Sequence, residues 1–355
     1  MKVNNFIKLK VLQSLFILFV ILCSNNVFSQ LGGSASYQFL DLSNSSRIQA
    51  LGGSNISIYD KDVNLNISNP SLLDSTKSGS ISLNYMNYVS DINYGFTSFT
   101  KHFDNIGTFN ASFMYANYGD FIRTDEAGVK QGNFSVNDLA LIIGFGRKVD
   151  SLFSIGGNFK FFQSIYDIYN SNGIALDLAG NYYKPSKEFS ASVVMKNIGF
   201  AFSKYSEKEK LPFEIQIGMT KKLKHAPFRF SLTLTNLQTW DLTYDDPNVK
   251  KEFDPDTFEE LPAKEPTFFD KGMRHVVFGT EFILSKNFNI QIGYNYRKRQ
   301  ELKFTEKTGL VGFSGGIGFK IKKFRLNYSI SSYHLSGKSH SFSVTTNINQ
   351  FRSKN

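Results

Sequence analysis

The chain has 355 residues, with 40 Lys and Arg against 30 Asp and Glu, giving a formal net charge of +10. Its single cysteine, Cys23, falls in the leading segment, so disulfides, cysteine nucleophiles and cysteine-based metal sites are excluded from the body of the protein. The five histidines form no HExxH or HxH pattern, and no GxSxG or Walker-type loop occurs.

The first element is an export signal. Lys2, Lys8 and Lys10 precede an apolar run, Val11 to Cys23, broken only by Gln13 and Ser14, and Val27-Phe28-Ser29 then offers a processing site. The run is too short to cross ~30 Å of hydrocarbon. Residues 1–29 therefore read as a signal peptide, cleaved between Ser29 and Gln30. A lipoprotein reading of Cys23 conflicts with the bulky Leu22 before it. Loss of the three signal lysines from +10 leaves +7. Such a charge on an exported chain can meet anionic head groups or lipopolysaccharide phosphates, or simply favour solubility. Nucleic acid is not an expected partner.

Residues 30–78 are neither strand-like nor disordered in composition. Ser43 or Asn44 can cap a short helix beginning near Arg47, Gly52-Gly53 ends or bends it, and Asn69-Pro70 makes a turn. The apolar content (Ile48, Leu51, Ile56, Ile58, Val63, Leu65) argues against a flexible linker.

From residue 79 onward the pattern has period two. Phe228, Phe230, Leu232 and Leu234 alternate with Arg229, Ser231, Thr233 and Thr235, and Ile290, Ile292, Tyr294 and Tyr296 alternate with Gln291, Gly293 and Asn295. Fourteen such stretches are expected: 80–89, 93–103, 107–118, 135–148, 152–166, 173–184, 188–198, 211–221, 227–238, 273–285, 288–299, 311–321, 323–335 and 339–350. Links after the even-numbered stretches are short, while those at 119–134, 199–210, 239–272 and 300–310 are long; the links after stretches 1, 5 and 13 are shorter exceptions. Segregation of loop length by parity, together with an even strand number, is expected of a bacterial outer-membrane barrel and not of a soluble sandwich. The reading is all-β: a 14-stranded antiparallel transmembrane barrel over 79–351, a short tail at 352–355, and an N-terminal hatch or plug at 30–78, periplasmic or luminal, with long loops extracellular. A barrel so wide is hollow unless filled, which gives the hatch its place. Phe351 is followed by Arg-Ser-Lys-Asn, a departure from barrels that end on Phe.

"ALGGSNISIYDKDVNLNISNPSLL" resembles the N-terminal hatch of the long-chain fatty-acid transporter superfamily, FadL-like fourteen-stranded barrels; Gly52, Gly53, Asn69, Pro70 and Ser71 carry the likeness. Within that superfamily, "SDINYGF" (90–96) and "LPFEIQIGMTKKLKHAPFRFSLTLTNLQTWDLTY" (211–244) resemble the PorQ family of type IX secretion, notably at Leu211-Pro212-Phe213 and Asn236-Leu237-Gln238-Thr239-Trp240. The resemblance runs over nearly all of 30–351. It implies a non-enzymatic, cofactor-free outer-membrane component of the attachment complex. Such a component anchors a PorZ-like surface protein alongside a PorU-like sortase and a PorV-like shuttle, so that cargo is attached to anionic lipopolysaccharide. The alternative implied by the superfamily is a transporter of hydrophobic compounds.

Two surface features follow. Between Asp241 and Lys271 lie ten acids and four lysines. Asp245, Asp246, Asp254, Asp256, Glu259 and Glu260, with Phe253 and Phe258 as apolar anchors, read either as a partner-docking loop or as a solvated one. "DPDTFEE" lacks the glycine and later acid of a calcium loop. Arg297, Lys298 and Arg299, at the outer end of the eleventh stretch, are candidate lipopolysaccharide contacts or ordinary rim charge. His102, His334 and His340 sit beside serines, but strands here are full of serine, so no nucleophile is assigned.

Overall fold

The computed structural model describes residues 35–88, 91–202, 210–243, 266–302, 309–332 and 337–351. Fourteen antiparallel strands close into one barrel, each paired with its sequence neighbours and the first with the last. They are β1 Ser80–Asn87, β2 Asn93–Phe103, β3 Gly107–Thr124, β4 Lys130–Lys148, β5 Phe153–Tyr166, β6 Tyr169–Lys184 and β7 Phe189–Ala201. The circuit continues with β8 Glu214–Lys222, β9 Phe228–Leu234, β10 Val276–Phe282, β11 Phe288–Asn295, β12 Phe313–Ile321, β13 Phe324–Ser332 and β14 Lys338–Asn347. Closure runs from Ser80↔Asn347 to Asn87↔His340.

The alternation in sequence is the alternation of environment. Leu83, Phe113, Leu141, Phe159, Val193 and Ile292 point outward and are exposed, while Ser82, Ser112, Ile142, Asn158, Ser192 and Gln291 point inward and are buried. An apolar outer wall around a largely hydroxyl- and amide-lined interior is unfavourable in water and favourable in lipid, where a closed sheet also leaves no unpaired backbone edge. Among the described residues no helix is long and apolar enough to cross a membrane; the crossing is made by strands.

Each of the fourteen expected stretches contains one strand, and the differences are at ends. The stretch 119–134, read as a long loop, is mostly strand: β3 runs to Thr124, β4 starts at Lys130, and only 125–129 turn between them. Its ragged alternation comes from a register shift between Asn117 and Asp120, where Gly119 has φ +85°. The eleventh strand stops at Asn295, and Tyr296–Leu302 is a helix.

One end of the barrel carries the connections 104–106, 149–152, 185–188, 223–227, 283–287 and 322–323, the short-turn end. The other, the long-loop end, carries the longer connections 202–213, 235–275 and 296–312 together with the short ones 88–92, 125–129, 167–168 and 333–337. The hatch, residues 35–79, lies inside. It contains α1 (Ser46–Ala50), α2 (Leu65–Ser68) and three 3₁₀ turns, Gln38–Asp41, Pro70–Leu72 and Ser75–Lys77. The further helices α3 (Phe268–Met273) and α4 (Tyr296–Leu302) stand at the long-loop end.

The outward face sets a clear expectation. Leu141→Arg, in the middle of β4 opposite Phe113, should destabilise the folded barrel by roughly 2–4 kcal/mol, the cost of a cation near the bilayer midplane. Urea unfolding in lipid vesicles measures it; an unchanged midpoint would mean that this face does not meet hydrocarbon.

Candidate functional site

The hatch builds its own small core and then uses polar groups to fasten itself to the wall. Ser45, not Ser43 or Asn44, caps α1, its hydroxyl accepting from Ile48 N–H at 3.3 Å. Ile48, Leu51, Ile58, Leu65 and Leu72 pack together. Lys77 is fully buried and donates to Asn66 Oδ1 at 2.8 Å and to Leu72 O at 2.5 Å. Burial lowers its pKa, and Asp74 partly offsets this.

The residues singled out in the hatch motif form two seats. At the first, α1 ends against β10–β12. Gly52 has φ +97°, donates its N–H to Ser314 Oγ at 3.0 Å, and has no room for a Cβ, which would stand 2.5 Å from Val277 Cγ1. Gly293 on the wall is matched to it: a Cβ there would fall 2.1 Å from Gly52 N. Gly53, φ +89°, faces the Lys298 side chain. At the second seat, Asn69 Oδ1 accepts from Ser71 N–H at 3.0 Å and caps the turn that Pro70 begins, while Asn69 Nδ2 donates to Ile56 O at 2.6 Å. This turn rests on Gly156 of β5, where a Cβ would come within 2.4 Å of the Pro70 carbonyl carbon.

Between the seats lies a cluster that the sequence motif does not contain. Arg47 is 1% exposed. Its guanidinium donates through Nε and Nη2 to Glu281 of β10 (2.8 and 3.0 Å), through Nη2 and Nη1 to Asp60 (2.7 and 3.2 Å) and through Nη1 to Asp62 (3.0 Å). All five donors of the side chain are used. Arg229 of β9 donates from Nη1 to Asp60 at 2.9 Å and to Glu281 at 2.8 Å, completing two cations on three carboxylates. Burial alone would lower the Arg47 pKa, but Asp60, Glu281 and Asp62 outweigh it and hold the side chain charged. Burial likewise pushes Asp60 up, and Arg47 and Arg229 bring it well below the usual carboxylate range.

The inward Ser and Asn side chains of the wall are the hydrogen-bonding complement of the hatch. Ser343 Oγ accepts from Ser46 N–H at 2.9 Å, Asn158 Nδ2 donates to Ile67 O at 2.9 Å, Ser154 Oγ to Ser71 O at 2.7 Å and Ser314 Oγ to Ala50 O at 2.9 Å. At about 0.5–1.5 kcal/mol net each, these bonds matter chiefly because hatch backbone left unpaired in the lumen would cost more.

The hatch separates two cavities. The one at the short-turn end, about 220 Å³, is bordered by Arg47, Asp60, Asp62 and Arg229. The one at the long-loop end, about 730 Å³, has Gln49, Gly53, Ser54 and Asn295 along the hatch side and Asp41, Lys196, Glu214, Arg297, Lys298 and Glu301 around it. Residues 211–216 and 235–242 form its lip: Ile215 N–H donates to Gln238 Oε1 at 3.0 Å, Gln238 Nε2 donates to Phe213 O at 2.8 Å, and Leu211, Pro212, Asn236 and Thr239 line it. Beside this vestibule the N-terminal segment packs Tyr37, Phe39 and Leu40 against Phe96, Met114, Ala140, Ile142 and Phe162 of the wall. Leu42, Tyr88 and Leu211 belong to both the apolar cluster and the vestibule lining. Asp41 closes the segment and accepts from Asn197 Nδ2 at 2.8 Å. Burial and the neighbouring Glu214 carboxylate push Asp41 up to about 7, against the pull of Lys196 and Lys160.

Arg297, Lys298 and Arg299 stand on α4, not on a strand end. Arg297 Nη1 donates to Asn236 Oδ1 at 2.9 Å across the vestibule, and Arg299 Nη1 donates to Gly309 O at 2.7 Å. Arg297 and Lys298 thus face the vestibule. Residues 245–260 lie outside the described residues, as does His334. His102 Nδ1 meets Thr108 Oγ1 at 2.9 Å and His340 Nδ1 meets Tyr328 Oη at 2.7 Å, so the ring Nδ1 of each is taken by a hydroxyl other than serine; the His102 bond to Ser78 Oγ is from its backbone N–H. Among the described residues no three His, Cys, Asp or Glu side chains converge as metal donors.

The chain is a closed fourteen-stranded antiparallel barrel with an N-terminal hatch in its lumen, and solved structures share that fold. The Ralstonia pickettii toluene transporter TbuX is 10% identical, covers 85% of this chain and 98% of its own, and superposes with a TM-score of 0.51. The TodX monoaromatic hydrocarbon channel deltaS2 mutant is 12% identical over 86% and 97%, with a TM-score of 0.50. At such identities the likeness is one of fold. No protein-family model matches the sequence, and no curated protein is similar to it.

Two measurements address the fastening. Arg47→Ala leaves three carboxylates with one cation, and should weaken hatch docking by roughly 3–5 kcal/mol. Amide exchange over 46–74 should rise steeply while the strands stay protected, and equal protection in the variant would refute the latch. The second concerns Asp41. The folded chain holds its proton more tightly than the unfolded chain, so docking of 36–44 is strongest below the ordinary value of 3.8 and weakens until pH reaches about 7. Exchange at Phe39 and Leu40, corrected for intrinsic rates, should be faster at pH 8 than at pH 5, and Asp41→Asn should abolish the difference. The Asp60 contribution runs the other way, being present above 3.8 and lost only as pH falls below it.

Proposed function

We propose that the protein is an outer-membrane passage for amphiphilic or hydrophobic compounds, held closed by its hatch and reached from the long-loop end. The observation that carries this reading is the junction of a polar vestibule of about 730 Å³ with the apolar cluster, at Leu42, Tyr88 and Leu211. The volume suits a small molecule. A polar head can rest among Lys196, Arg297 and Lys298 while an apolar portion takes the place of Phe39 and Leu40. TbuX, of similar fold, is described as a toluene transporter. The polar inward face does not oppose this reading, because part of it is engaged by the hatch, as at Ser154, Asn158, Ser314 and Ser343.

A second reading rests on another observation. Trp240 (52% exposed) lies 5.0 Å from Phe268 (79%), and Phe269 (72%) is adjacent, at the long-loop end; in sequence these residues flank the acidic stretch 245–260. An aromatic patch at that position supports an attachment component of type IX secretion that holds a PorZ-like surface protein, with a PorU-like sortase and a PorV-like shuttle in the same complex.

Purification in mild detergent separates the two. The transport reading expects an extractable amphiphile at near-equimolar amount, reduced at least tenfold in Leu42→Asp, since an unpaired buried carboxylate is strongly disfavoured beside an apolar ligand. The attachment reading expects co-purifying surface proteins that are lost when residues 245–265 are removed. A bare barrel with neither would contradict both.

A further inference from the structure

The short-turn end is strongly and asymmetrically basic. Its six connections with their flanking residues, 101–106, 147–152, 184–188, 221–227, 283–287 and 320–325, hold thirteen Lys and Arg against three acids, Asp104, Asp150 and Glu188. Among the described residues none of the thirteen makes an ion pair with a carboxylate. The described part of the long-loop end differs: Lys271 pairs with Asp241 at 2.6 Å, Arg274 with Asp270 at 2.8 Å and Arg297 with Glu301 at 3.6 Å.

The position of four of these cations is informative. On β2, Phe99, Lys101 and Phe103 are successive exposed, outward-facing positions. Arg147 continues the outward row of Leu141, Ile143 and Phe145 on β4 and stands opposite Ile155. Lys184 stands opposite Phe189, and Phe189 opposite Lys221, which in turn faces Phe230. Lys101, Arg147, Lys184 and Lys221 therefore emerge from the lipid-facing wall among aromatic rings, at the last residues before the short turns. An aromatic girdle of this kind marks the head-group level of the bilayer. A long basic side chain rooted there extends its charge to the adjacent phosphates while its stem stays in apolar surroundings. A soluble acidic protein would be met by the turn tips, whereas these four are rooted on the outward face; Lys221 Nζ donates to the Lys187 carbonyl of the adjacent turn, which leaves its other two N–H groups for a phosphate.

We propose that this rim is a binding surface for anionic phospholipid head groups of the leaflet that the short turns face. Lys101, Arg147, Lys184 and Lys221 contact the phosphates, and the aromatic rings between them fix the depth. The binding is to glycerophospholipid, in contrast to lipopolysaccharide, whose phosphates belong to the opposite leaflet when the long loops are outside. Each cation near an anionic surface contributes several-fold in affinity, so four together give a marked preference.

The test is lipid enrichment around the full-length mature barrel in mixed micelles, measured by native mass spectrometry with phosphatidylglycerol, phosphatidylcholine and lipid A as competing probes. The wild type should retain phosphatidylglycerol over phosphatidylcholine. Lys101→Gln/Arg147→Gln/Lys184→Gln/Lys221→Gln should reduce that preference about tenfold or more. The control Lys187→Gln/Lys224→Gln/Lys286→Gln/Lys322→Gln, at the turn tips, should keep it. Folding of each variant is checked by heat-dependent mobility in detergent gels, and the wild type in rising salt supplies the same readout should a variant fail to fold: the preference should fall with ionic strength. Three results would overturn the proposal: no phosphatidylglycerol preference in the wild type, loss confined to the turn-tip set (which assigns the charge to a soluble acidic partner), or retention of lipid A equal to that of phosphatidylglycerol and unaffected by the four outward substitutions.

Discussion

A barrel of fourteen strands is too wide for its own side chains to fill, and everything in this molecule answers to that constraint. The filling is supplied by residues 35–79, and what holds it is one guanidinium. Arg47 reaches three carboxylates, two on its own segment and one on the wall, and Arg229 reaches two of the same three. Burial of so much charge is tolerable only when every donor is used, and here each N–H of Arg47 is. The glycine seats at Gly293 and Gly156 let backbone approach backbone, and serine and asparagine side chains of the wall pair hatch backbone groups at Ser46, Ala50, Ile67 and Ser71.

The same constraint shapes the space that is left. With the hatch in place the lumen is divided into a small cavity at the short-turn end and a larger vestibule at the long-loop end. The vestibule has a mixed character because its hatch side is polar while its flank joins an apolar pocket that the chain fills with its own Phe39 and Leu40. The segment that fills the pocket ends on Asp41, whose proton is held near neutrality by burial and by Glu214. Strength of fastening thus differs along the hatch: the Arg47 region is secured down to acid pH, while the 36–44 segment is the part most responsive to pH.

The fold was written plainly in the sequence. Period-two alternation gives all fourteen strands, because each strand separates lipid from lumen, whereas link length sorts by end only in part: 125–129 and 167–168 are short turns at the long-loop end. The hatch was legible through Gly52-Gly53 and Asn69-Pro70, residues whose backbone demands are local. The Arg47 cluster was not, because Arg47, Asp60, Arg229 and Glu281 come from segments far apart and meet only when the barrel closes. A signal was present in Glu281, an acid at an inward position in the middle of "VVFGTEFI", and in Arg229 within "FRFSL". The first residues of the helix, 296–299, read as strand because the Tyr294, Tyr296 alternation runs on past the last wall pair at Asn295.

The central claim is that the hatch sits inside the lumen, fixed to the wall. Ser46 Oγ lies 2.8 Å from Ser343 Oγ, and no cysteine follows Cys23 in the sequence. Replacing both serines by cysteine and treating the folded protein in membranes with a mild oxidant tests the claim most directly. The account predicts a disulfide between residues 46 and 343, formed without loss of the barrel, and thiols protected from maleimide. Two thiols that both remain free and fully labelled would contradict it.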